Sequence, residues 1–577
     1  MSELIIRRRE ADPNSKVFSQ VHPLLARIYT SRGLDDAEAL GRSLQQLQTG
    51  RDMLGLAQAV KRLLLALQQD QHILIIGDFD CDGATSTALA VLGLGMMGAN
   101  RVSYLVPNRF EFGYGLSPEI VRVAAQQQPD LIITVDNGIS SVSGVAEANA
   151  LGIDVLITDH HLPGDQLPDA CAIVNPNQPG CDFSEKSTCG VGVIFYVMTA
   201  LRRALEELNW FEQRGLAKPN LASLLDLVAL GTVADVVPLE QNNRTLIYQG
   251  LQRIRSGKAR PGIMALIEIS GRQRSRLSAT DLGFALAPRL NAAGRLDDMS
   301  IGIECLLTND PDRAQKLALQ LDTLNQERRG IEQEMQQQAV ALLDELQLDA
   351  EGALPFGLCL YDPDWHQGVI GILASRIKEK LNRPVVAFAM GDAGELKGSA
   401  RSVPGFHIRD GLDAVAAKHP ELLKKFGGHA MAAGMTIAAE NLGLFQQAFD
   451  AEVRRQLSAE QLQHAVLTDG CLSGAELSME MAELLRESGP WGHQFPEPLF
   501  DGEFSLLQQR IVGQRHLKLV LMEPASGIAI DAIHFNADTT LWPNDAIQRV
   551  RAVYRLDVNE FRGQRSLQLM IDHLLPL

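Results

Sequence analysis

The stretch 72-HILIIGDFDCDG-83 joins a short apolar run to three aspartates, Asp78, Asp80 and Asp82. The apolar run predicts a buried strand. The three carboxylates that follow it repel one another unless a cation lies among them. D-x-D-x-D-G also begins a calcium-binding EF-hand loop, which requires a preceding helix and a glutamate at its twelfth position. Here a strand precedes the loop and Leu89 stands at that position, so we exclude this interpretation.

Four more apolar runs alternate with amphipathic segments, namely 102-VSYLV-106, 131-LIITV-135, 153-IDVLI-157 and 171-CAIV-174. This alternation predicts an α/β fold with a parallel, doubly wound sheet. In such a sheet, ligands bind beyond the carboxyl ends of the strands. Polar residues follow each run at that end: the three aspartates, then Asn108-Arg109, Asp136-Asn137-Gly138, Asp159-His160-His161 and Asn175-Pro176. We therefore expect one site to collect these side chains.

The rest of the chain divides into further segments. Apolar residues recur near helical spacing from about residue 310 to 347, interrupted at Arg328, which favours a connecting helix over a coiled coil. A second α/β pattern follows, and short β-rich runs in the last part resemble a small oligonucleotide-binding (OB) barrel. We predict an N-terminal helical segment at 1–70, an α/β domain at 71–305, the connecting helix at 306–350, a smaller α/β domain at 351–462 and the OB-like barrel at 463–577.

The composition limits the possible classes of function. The 577 residues carry a formal net charge of −17, which argues against a protein that coats nucleic acid nonspecifically, because such proteins bind phosphate through Lys and Arg. An enzyme with a local basic channel is compatible with that charge. The seven cysteines form no C-x-x-C pair, and no apolar run has the length of a membrane helix. We read no export signal and expect a cytoplasmic protein with reduced thiols.

Possible metal ligands surround the three aspartates. Asp136 and His160 end two other strands, and Asp235 lies in the apolar run 226-DLVALGTVADVVPL-239, where a lone buried carboxylate is costly. Carboxylates with one imidazole suit two divalent ions, Mg²⁺ or Mn²⁺, and the imidazole favours Mn²⁺. The set contains no cysteine, which argues against structural zinc. Because paired metals are a common device for hydrolysing phosphate esters, the pattern favours a phosphoesterase.

Four motifs in this order resemble the DHH phosphoesterase superfamily: 78-DFDCDG-83, 136-DNG-138, 159-DHH-161 and 232-TVADVVP-238. The later 427-GGHAMAAG-434 resembles the associated DHHA1 domain, which binds substrate. Over nearly the whole chain, the order and spacing of these motifs are similar to those in the bacterial members of the superfamily that degrade single-stranded DNA. One position departs from the pattern. Many members carry a histidine four residues before the first aspartate of D-x-D, where this chain has Ile76, so the role of Asp78 stays open.

The resemblance implies a role for each ligand. Asp80 and Asp136 would hold one metal, with Asp78 as a further candidate. Asp136 would also bridge to the second metal, whose other ligands would be Asp82, His160 and Asp235. His161 would contact the scissile phosphate. Asp159 would orient these neighbours, although an aspartate at this place is also compatible with a helix cap.

Other residues are candidates for contacts with the substrate. They are Arg109, Arg289, Arg376, Ser399, Arg401, Gly427, Gly428 and His429. The resemblance points to binding of the 5′ end near Arg109, whereas Arg289 and Arg295 are equally compatible with ion pairs. In the barrel, basic residues lie among aromatic ones, as in grooves that bind single strands, or as on a solvated face over core aromatics. The basic residues are Arg510, Arg515, Lys518, Arg549, Arg551 and Arg555, and the aromatic residues are Phe535, Trp542 and Tyr554.

These implications give one leading hypothesis and two alternatives. The leading hypothesis is a 5′→3′ exonuclease that degrades single-stranded DNA to 5′-mononucleotides with two Mn²⁺ or Mg²⁺ ions, in DNA repair and recombination. The first alternative keeps the chemistry and acts on oligoribonucleotides or cyclic dinucleotides. The second is an inactive DNA-binding scaffold. The resemblance also implies a monomeric enzyme whose partners are a single-stranded-DNA-binding protein and a RecQ-type helicase.

Overall fold

A computed structural model describes residues 4–10, 17–18, 20–107, 115–345, 354–391, 394–463, 465–513, 515–561 and 563–577, without the side chains of 343–345 and 561. Arg109, a predicted substrate contact, lies outside the described residues. The chain forms two compact units. The larger unit holds Arg8–Asp322 and Leu467–Leu577, and the smaller unit holds Thr323–Val466 with Met1–Arg7.

A parallel sheet forms the centre of the larger unit. The chain begins with β1 (Ile5–Arg8), all but the last residue of which belongs to the smaller unit. The elements that follow in the larger unit are α1 (Pro23–Ser31), α2 (Leu56–Gln68), β2 (Ile73–Ile76), α3 (Cys81–Met96), β3 (Val102–Leu105), α4 (Pro118–Ala125), β4 (Leu131–Val135), α5 (Val142–Ala150), β5 (Asp154–Thr158) and β6 (Ala172–Val174). The strands lie in the order β3-β2-β4-β5-β6, and all neighbours pair in parallel. Every residue of β2 and β4 is buried, as expected for strands covered on both faces. The predicted parallel sheet is confirmed.

Helices complete this part of the larger unit. They are α6 (Gly190–Glu207), α7 (Trp210–Arg214), α8 (Leu225–Ala234), α9 (Gln241–Arg255), α10 (Pro261–Ile269), α11 (Ala279–Asp281), α12 (Ala287–Leu296), α13 (Ser300–Leu307) and α14 (Pro311–Glu345), with a π-helical turn at Leu282–Leu286. α8 is apolar on nearly all sides because it packs against α3, α6 and α9. α14 continues from the larger unit into the smaller one. Arg328, which interrupts its apolar stripe, is buried in an ion pair with Glu332.

The smaller unit is a second α/β layer structure. Its elements are β7 (Leu358–Tyr361), α15 (Ile370–Leu381), β8 (Val385–Met390), β9 (Glu395–Arg401), α16 (Ile408–Lys418), β10 (Lys425–Gly428), β11 (Ala432–Ala438), α17 (Leu442–Gln456) and β12 (Ala465–Thr468). The sheet order is β10-β11-β9-β8-β7, in which β7 and β8 pair in parallel. β12 instead pairs with β1 in a separate two-stranded sheet. Phe388, Phe445 and Phe449 form the aromatic centre of the core.

The last part of the chain is a closed five-stranded barrel, which confirms the predicted OB-like architecture. It consists of α18 (Met479–Glu487), β13 (Phe500–Val512), β14 (His516–Met522), β15 (Ala529–His534), β16 (Arg549–Phe561) and β17 (Gln564–Pro576), and the barrel order is β13-β14-β15-β17-β16. Trp542 and Tyr554 are 2% and 1% exposed and therefore belong to the core rather than to a stacking surface. Phe535 is 47% exposed.

The C-terminal region is anchored to the rest of the larger unit. Arg32 on the turn after α1 forms an ion pair with Asp469, and their side chains are 1% and 2% exposed. The ring of Tyr29 stacks on Trp491 at a centroid distance of 6.1 Å. The barrel is therefore part of one folded body with the parallel sheet. Among the helices described, none combines the length and the apolar character that a membrane-spanning segment requires.

Candidate metal centre

The three aspartates of the loop after β2 lie at different positions relative to the start of α3. Asp80 is the N-cap of α3, and its Oδ1 accepts the Gly83 N–H at 3.0 Å. Asp82 lies in the first turn of α3, where the exposed N–H groups favour a negative charge. Asp78 precedes the helix and is 5% exposed. A Cβ on Gly83 would lie 2.5 Å from the Asp78 carbonyl oxygen, so this tight turn requires glycine.

The structure brings the predicted metal ligands together in overlapping groups. Ligand atoms of Asp78, Asp80 and Asp136 lie within 4.8 Å of one another, and so do those of Asp82, His160 and Asp235. A third such group joins Asp136 to His160 and His161. His160 Nε2 lies 3.1 Å from Asp136 Oδ1 and 3.5 Å from Asp235 Oδ2. Asp136 thus stands between the first two groups, where a bridging ligand is needed.

Two residues of this centre have strained backbones. Asp136 has φ 62° at the end of β4, and Val236, directly after Asp235, has φ 59°. Left-handed residues other than glycine cost about 1–3 kcal/mol each and concentrate at functional sites. The turn at Asp136 is fixed by its neighbour Asn137, whose Nδ2 donates to the carbonyl oxygens of Ile76 and Val135 at 3.1 and 3.0 Å. The polypeptide is therefore held in a conformation that brings Asp136 into the centre.

The carboxylates of the centre carry more negative charge than their surroundings compensate. Burial, followed by the charge of Asp235, raises the pKa of Asp82 to about 7. Burial and the charge of Asp80 raise the pKa of Asp235 to about 8. The pKa of Asp136 also lies well above its ordinary value, because the group is buried beside Asp82. A bound cation would reverse these shifts, since it stabilises the ionised form.

The pKa values of the two adjacent histidines are shifted in opposite directions. Burial, with the nearby His161, lowers the pKa of His160, which leaves a neutral ring that can coordinate a metal. Burial also acts to lower the pKa of His161. The hydrogen bond with Asp159 and the charge of Asp159 outweigh burial and raise the pKa of His161 to about 9. His161 is therefore cationic at neutral pH, as suits a group that contacts phosphate.

Asp159 contacts both histidines. Its Oδ1 accepts the backbone N–H groups of His160 and His161 at 2.7 and 3.1 Å and also lies 2.7 Å from His161 Nδ1. Its Oδ2 accepts the Ile139 N–H at 2.9 Å. The next helix along the chain begins only at Gly190, so Asp159 does not cap a helix. The contacts instead suit the orienting role that the resemblance implies.

The donor set fits two hard or borderline divalent cations. His160 Nε2 and Asp235 Oδ2 are buried atoms that make no hydrogen bond to the described residues. Carboxylate oxygens with a single imidazole match the ligands of Mg²⁺ and Mn²⁺. Asp78, Asp80 and Asp136 would hold one ion, and Asp82, Asp136, His160 and Asp235 would hold the other. Asp78, whose role the sequence left open, has a ligand atom within 4.8 Å of those of Asp80 and Asp136.

Of the residues that hold the centre, Asn175 was expected there as a polar strand end, whereas Asn177 and the start of α6 were missed in the sequence. Asp82 accepts two N–H groups from the start of α6: Gly190 N to Oδ2 at 2.7 Å and Val191 N to Oδ1 at 2.9 Å. Asn177 and Asn175 donate to the carbonyl oxygens of His160 and His161 at 2.6 and 2.9 Å. The glycine-rich start of an apolar helix at 190-GVG-192, and the polar strand end at 175-NPN-177, are the signals that point to them.

The predicted substrate residues fall into different environments. Arg289 is 8% exposed, lies 2.8 Å from Asp322 and donates to the Ala285 carbonyl oxygen, so its guanidinium is already engaged. Arg376 lies 2.9 Å from Glu332 and 3.5 Å from Glu379, and its half-exposed side chain is likewise paired. These positions match the ion-pair interpretation at least as well as a substrate contact.

Arg401 is different, because no ion pair joins it to a described carboxylate. Its Nη1 donates to Ser399 Oγ at 3.1 Å and to the Ala400 carbonyl oxygen at 2.8 Å, and burial lowers its pKa. Both side chains lie beside the first turn of α15, which has no side-chain cap. A Cβ on Gly371 would lie 2.9 Å from Arg401 Nη2 and from Ser399 Oγ. A partly buried cation beside a helix N-terminus forms a cradle for an anion.

The glycine-histidine motif lies at the turn between β10 and β11. Gly427 is exposed, and a Cβ there would meet no atom within 4 Å, which leaves room for a ligand to approach its backbone. Gly428 has φ 150°, and a Cβ on it would lie 2.4 Å from the Ala432 carbonyl oxygen. His429 is exposed, and its N–H donates to the same oxygen at 2.8 Å. The turn itself therefore requires the second glycine.

The parallel sheet and its acidic strand ends define the class as a DHH-type phosphoesterase. Family models match three parts of the chain: the N-terminal domain of the DHH family at 72–232, the DHHA1 domain at 355–455 and the RecJ OB domain at 468–573. The first match contains three of the four DHH motifs and ends where the fourth, at 232–238, begins, and the second match contains the motif at 427–434. The third covers the closed barrel.

Comparison with full-length relatives identifies the family within this class. The chain is 56% identical over 572 residues to the single-stranded-DNA-specific exonuclease RecJ of Salmonella typhimurium strain LT2, covering 99% of both chains. It is 54% identical over 575 residues to RecJ of Escherichia coli strain K12, covering 100% of both. The crystal structure of RecJ with Mn²⁺ from Thermus thermophilus superimposes with a TM-score of 0.79 at 30% identity, covering 100% of this chain and 80% of that one. The chain belongs to the RecJ exonuclease family.

Proposed function

We propose that this chain is a metal-dependent exonuclease that degrades single-stranded DNA from the 5′ end and releases 5′-mononucleotides. The observation that carries the proposal is the pair of ligand groups in the centre, which are joined where His160 Nε2 lies 3.1 Å from Asp136 Oδ1. The first group is Asp78, Asp80 and Asp136, and the second is Asp82, His160 and Asp235. The names of the full-length relatives, and the metal-bound structures of RecJ from Thermus thermophilus with Mn²⁺ and with Mg²⁺, support both substrate and cofactor.

The residues of the centre have different roles in hydrolysis. When bound by these ligands, two divalent ions would supply the chemistry of the centre, activation of water and neutralisation of charge on the phosphoryl oxygens. Asp136 fixes the separation of the two ligand groups through its strained backbone at the end of β4. His161, held cationic by Asp159, donates to a non-bridging oxygen of the scissile phosphate and stabilises the charge that develops there.

The anion cradle at Arg401, Ser399 and the start of α15 supports recognition of a terminal phosphate. An internal phosphodiester carries one negative charge, whereas a terminal phosphomonoester carries up to two and makes stronger charge-assisted hydrogen bonds. A guanidinium that pairs with no described carboxylate, at the positive end of a helix, favours the doubly charged group. This preference would start degradation at a 5′-phosphate, in agreement with the polarity that the family resemblance implies.

The test is digestion of single-stranded and double-stranded oligonucleotides with Mn²⁺, with Mg²⁺ and with a chelator. A 5′ label is expected to appear first as a mononucleotide from single strands only, and neither metal-free protein nor Asp136→Ala is expected to cleave. Initial release of a 3′ label, or equal cleavage of duplex, would contradict the proposal.

A phosphodiesterase for dinucleotides would have no use for the barrel. Deleting the whole C-terminal region 467–577 is a poor test, because it would leave the buried Arg32 without Asp469. Surface substitutions are better. Arg510 and Arg515 are exposed and form no ion pair with the described residues, whereas Arg549 lies 2.7 Å from Glu503. R510A/R515A is expected to slow cleavage of long strands and spare dinucleotides, with R549A as control. Equal effects on both substrates would favour the dinucleotide alternative.

The cellular setting follows from the substrate. An enzyme for chromosomal single strands works in the cytoplasm, and its strands arise from a helicase and are covered by a single-stranded-DNA-binding protein. These partners, a RecQ-type helicase among them, are proposed from family resemblance. Co-purification with the tagged chain, with and without nuclease treatment, distinguishes direct partners from proteins joined through DNA.

A further inference from the structure

A helix outside the sheet holds the loop that carries the three aspartates. The segment 288-PRLNAAGR-295 forms most of α12, and no role in the chemistry above explains it. The side chain of Asn291 reaches the loop, where its Oδ1 accepts the backbone N–H of Cys81 at 2.7 Å. Cys81 stands between Asp80 and Asp82. The contact therefore fixes the backbone between two residues that belong to different ligand groups.

A second contact lies one helical turn further along α12. A Cβ on Gly294 would lie 1.7 Å from the Phe79 carbonyl oxygen, so the backbones of helix and loop are in direct contact. Phe79 stands between Asp78 and Asp80. Positions 291 and 294 lie on the same face of the helix, since residues three apart are neighbours there. α12 thus contacts the two residues that alternate with the aspartates and leaves the three carboxylate side chains to the metal centre.

α12 is itself firmly held. Leu290, Ala292 and Ala293 are fully buried, and Arg289 is anchored to Asp322 at 2.8 Å. A rigid helix can transmit its position to the loop, whereas a mobile one cannot. Asparagine also suits this place chemically. It offers a neutral acceptor to the Cys81 N–H without adding a fourth negative charge beside three carboxylates.

We propose that Asn291 is a positioning residue for the metal centre. Its hydrogen bond sets the backbone between Asp80 and Asp82, so that the two carboxylates serve different metals at a fixed separation. This inference rests on the proposed metal-dependent function. Groups that orient metal ligands typically change metal affinity or activity by about 10–100-fold when they are removed.

The test compares Asn291→Ala with Asn291→Asp. The alanine variant loses the acceptor, and we expect its Mn²⁺ affinity, measured by titration calorimetry on the full chain, to fall by about 10-fold or more. Turnover on single-stranded DNA at saturating Mn²⁺ should fall too. The aspartate variant keeps an acceptor of the same shape and is expected to bind Mn²⁺ at least as tightly as the original chain. Equal losses in both variants would overturn the proposal.

Asn242 supplies the matched control. It is buried in the larger unit, and its Oδ1 accepts the Gln48 N–H and the Tyr196 hydroxyl, neither of which belongs to the centre. Asn242→Ala is expected to lower thermal stability and leave Mn²⁺ affinity unchanged. A comparable affinity loss in this control, or unchanged affinity in Asn291→Ala, would refute a positioning role. An original chain that binds Mn²⁺ but leaves DNA intact would instead refute the proposed function.

Discussion

His161 and Asp159 form a charged pair: the histidine Nδ1 lies 2.7 Å from the aspartate Oδ1, and the aspartate is 1% exposed. The pair raises the pKa of His161 to about 9, against burial, which acts to lower it. A raised histidine pKa contributes stability that is fully present below the ordinary value of 6.5 and is lost as pH rises through about 9. The pair thus keeps a cation beside the metal ligands throughout the neutral range.

Asp159→Asn should remove that cation at neutral pH. Without the carboxylate, burial dominates and the pKa of His161 falls below its ordinary range, so the ring is neutral at about pH 8. Activity should then be lost at lower pH, with the alkaline limb of the rate profile shifted downward from about pH 9 to below the ordinary histidine value of 6.5. The measurement is kcat against pH with Mn²⁺ saturating. Asp154→Asn, which removes the partner of Arg62 on the surface, should leave the profile unchanged. An unshifted limb in Asp159→Asn would contradict the assigned role of the pair.

Metal binding should release protons near neutral pH. In the metal-free protein the pKa values of Asp82 and Asp235 are about 7 and about 8, while the unfolded chain loses the same protons near 3.8. The stability of the metal-free protein should therefore fall as pH rises through that window, and Mn²⁺ affinity should increase over the same range. Calorimetric titrations in two buffers of different ionisation enthalpy measure the released protons. Heats that do not depend on the buffer at about pH 7 would exclude protonated carboxylates in the centre.

The sequence was sufficient for the sheet and most of the centre, because both depend on local patterns. Five apolar runs predicted the five strands, and the parallel arrangement placed their polar ends together. Asp235 was found because a carboxylate within an apolar helix needs a partner. The barrel was visible as short β runs, but the sequence left open whether Trp542 and Tyr554 stack on a bound strand or belong to the core, and both are buried. An alternating strand pattern does not distinguish the inner face of a barrel from its outer face.

The contacts that position the centre were not visible in the sequence, because they join distant segments. Gly190 and Asn291 lie more than a hundred residues from their partners Asp82 and Cys81, and only the packing of α6 and α12 brings them together. For the same reason the partners of Arg289 and Arg376 could not be read from the chain. Asp322 and Glu332, which engage these arginines, lie on α14 at positions that look like ordinary exposed helix residues.

Arg401 and Arg376 should respond differently to replacement by alanine. Arg401 lies in the anion cradle, so Arg401→Ala should abolish the preference for a 5′-phosphate over a 5′-hydroxyl end, at a cost of about 10-fold or more in kcat/KM. Arg376 is paired with Glu332, which is buried, so Arg376→Ala should lower the Tm and keep the preference. The measurement is kcat/KM on matched oligonucleotides with the two ends. A retained preference in Arg401→Ala would move the 5′-phosphate site elsewhere.

Gly190 should tolerate no side chain, although its backbone does not require glycine. A Cβ at this position would lie 2.6 Å from the Cβ and Oδ1 atoms of Asp136, the shared ligand. Alanine is favoured over glycine within helices by about 1 kcal/mol, so any loss in Gly190→Ala must come from displacement of the carboxylate. We expect Mn²⁺ affinity and kcat to fall by about 10-fold or more. Gly95→Ala in α3 is the control, because its Cβ would meet nothing within 4 Å. If both variants bind Mn²⁺ like the original chain, the start of α6 does not position Asp136.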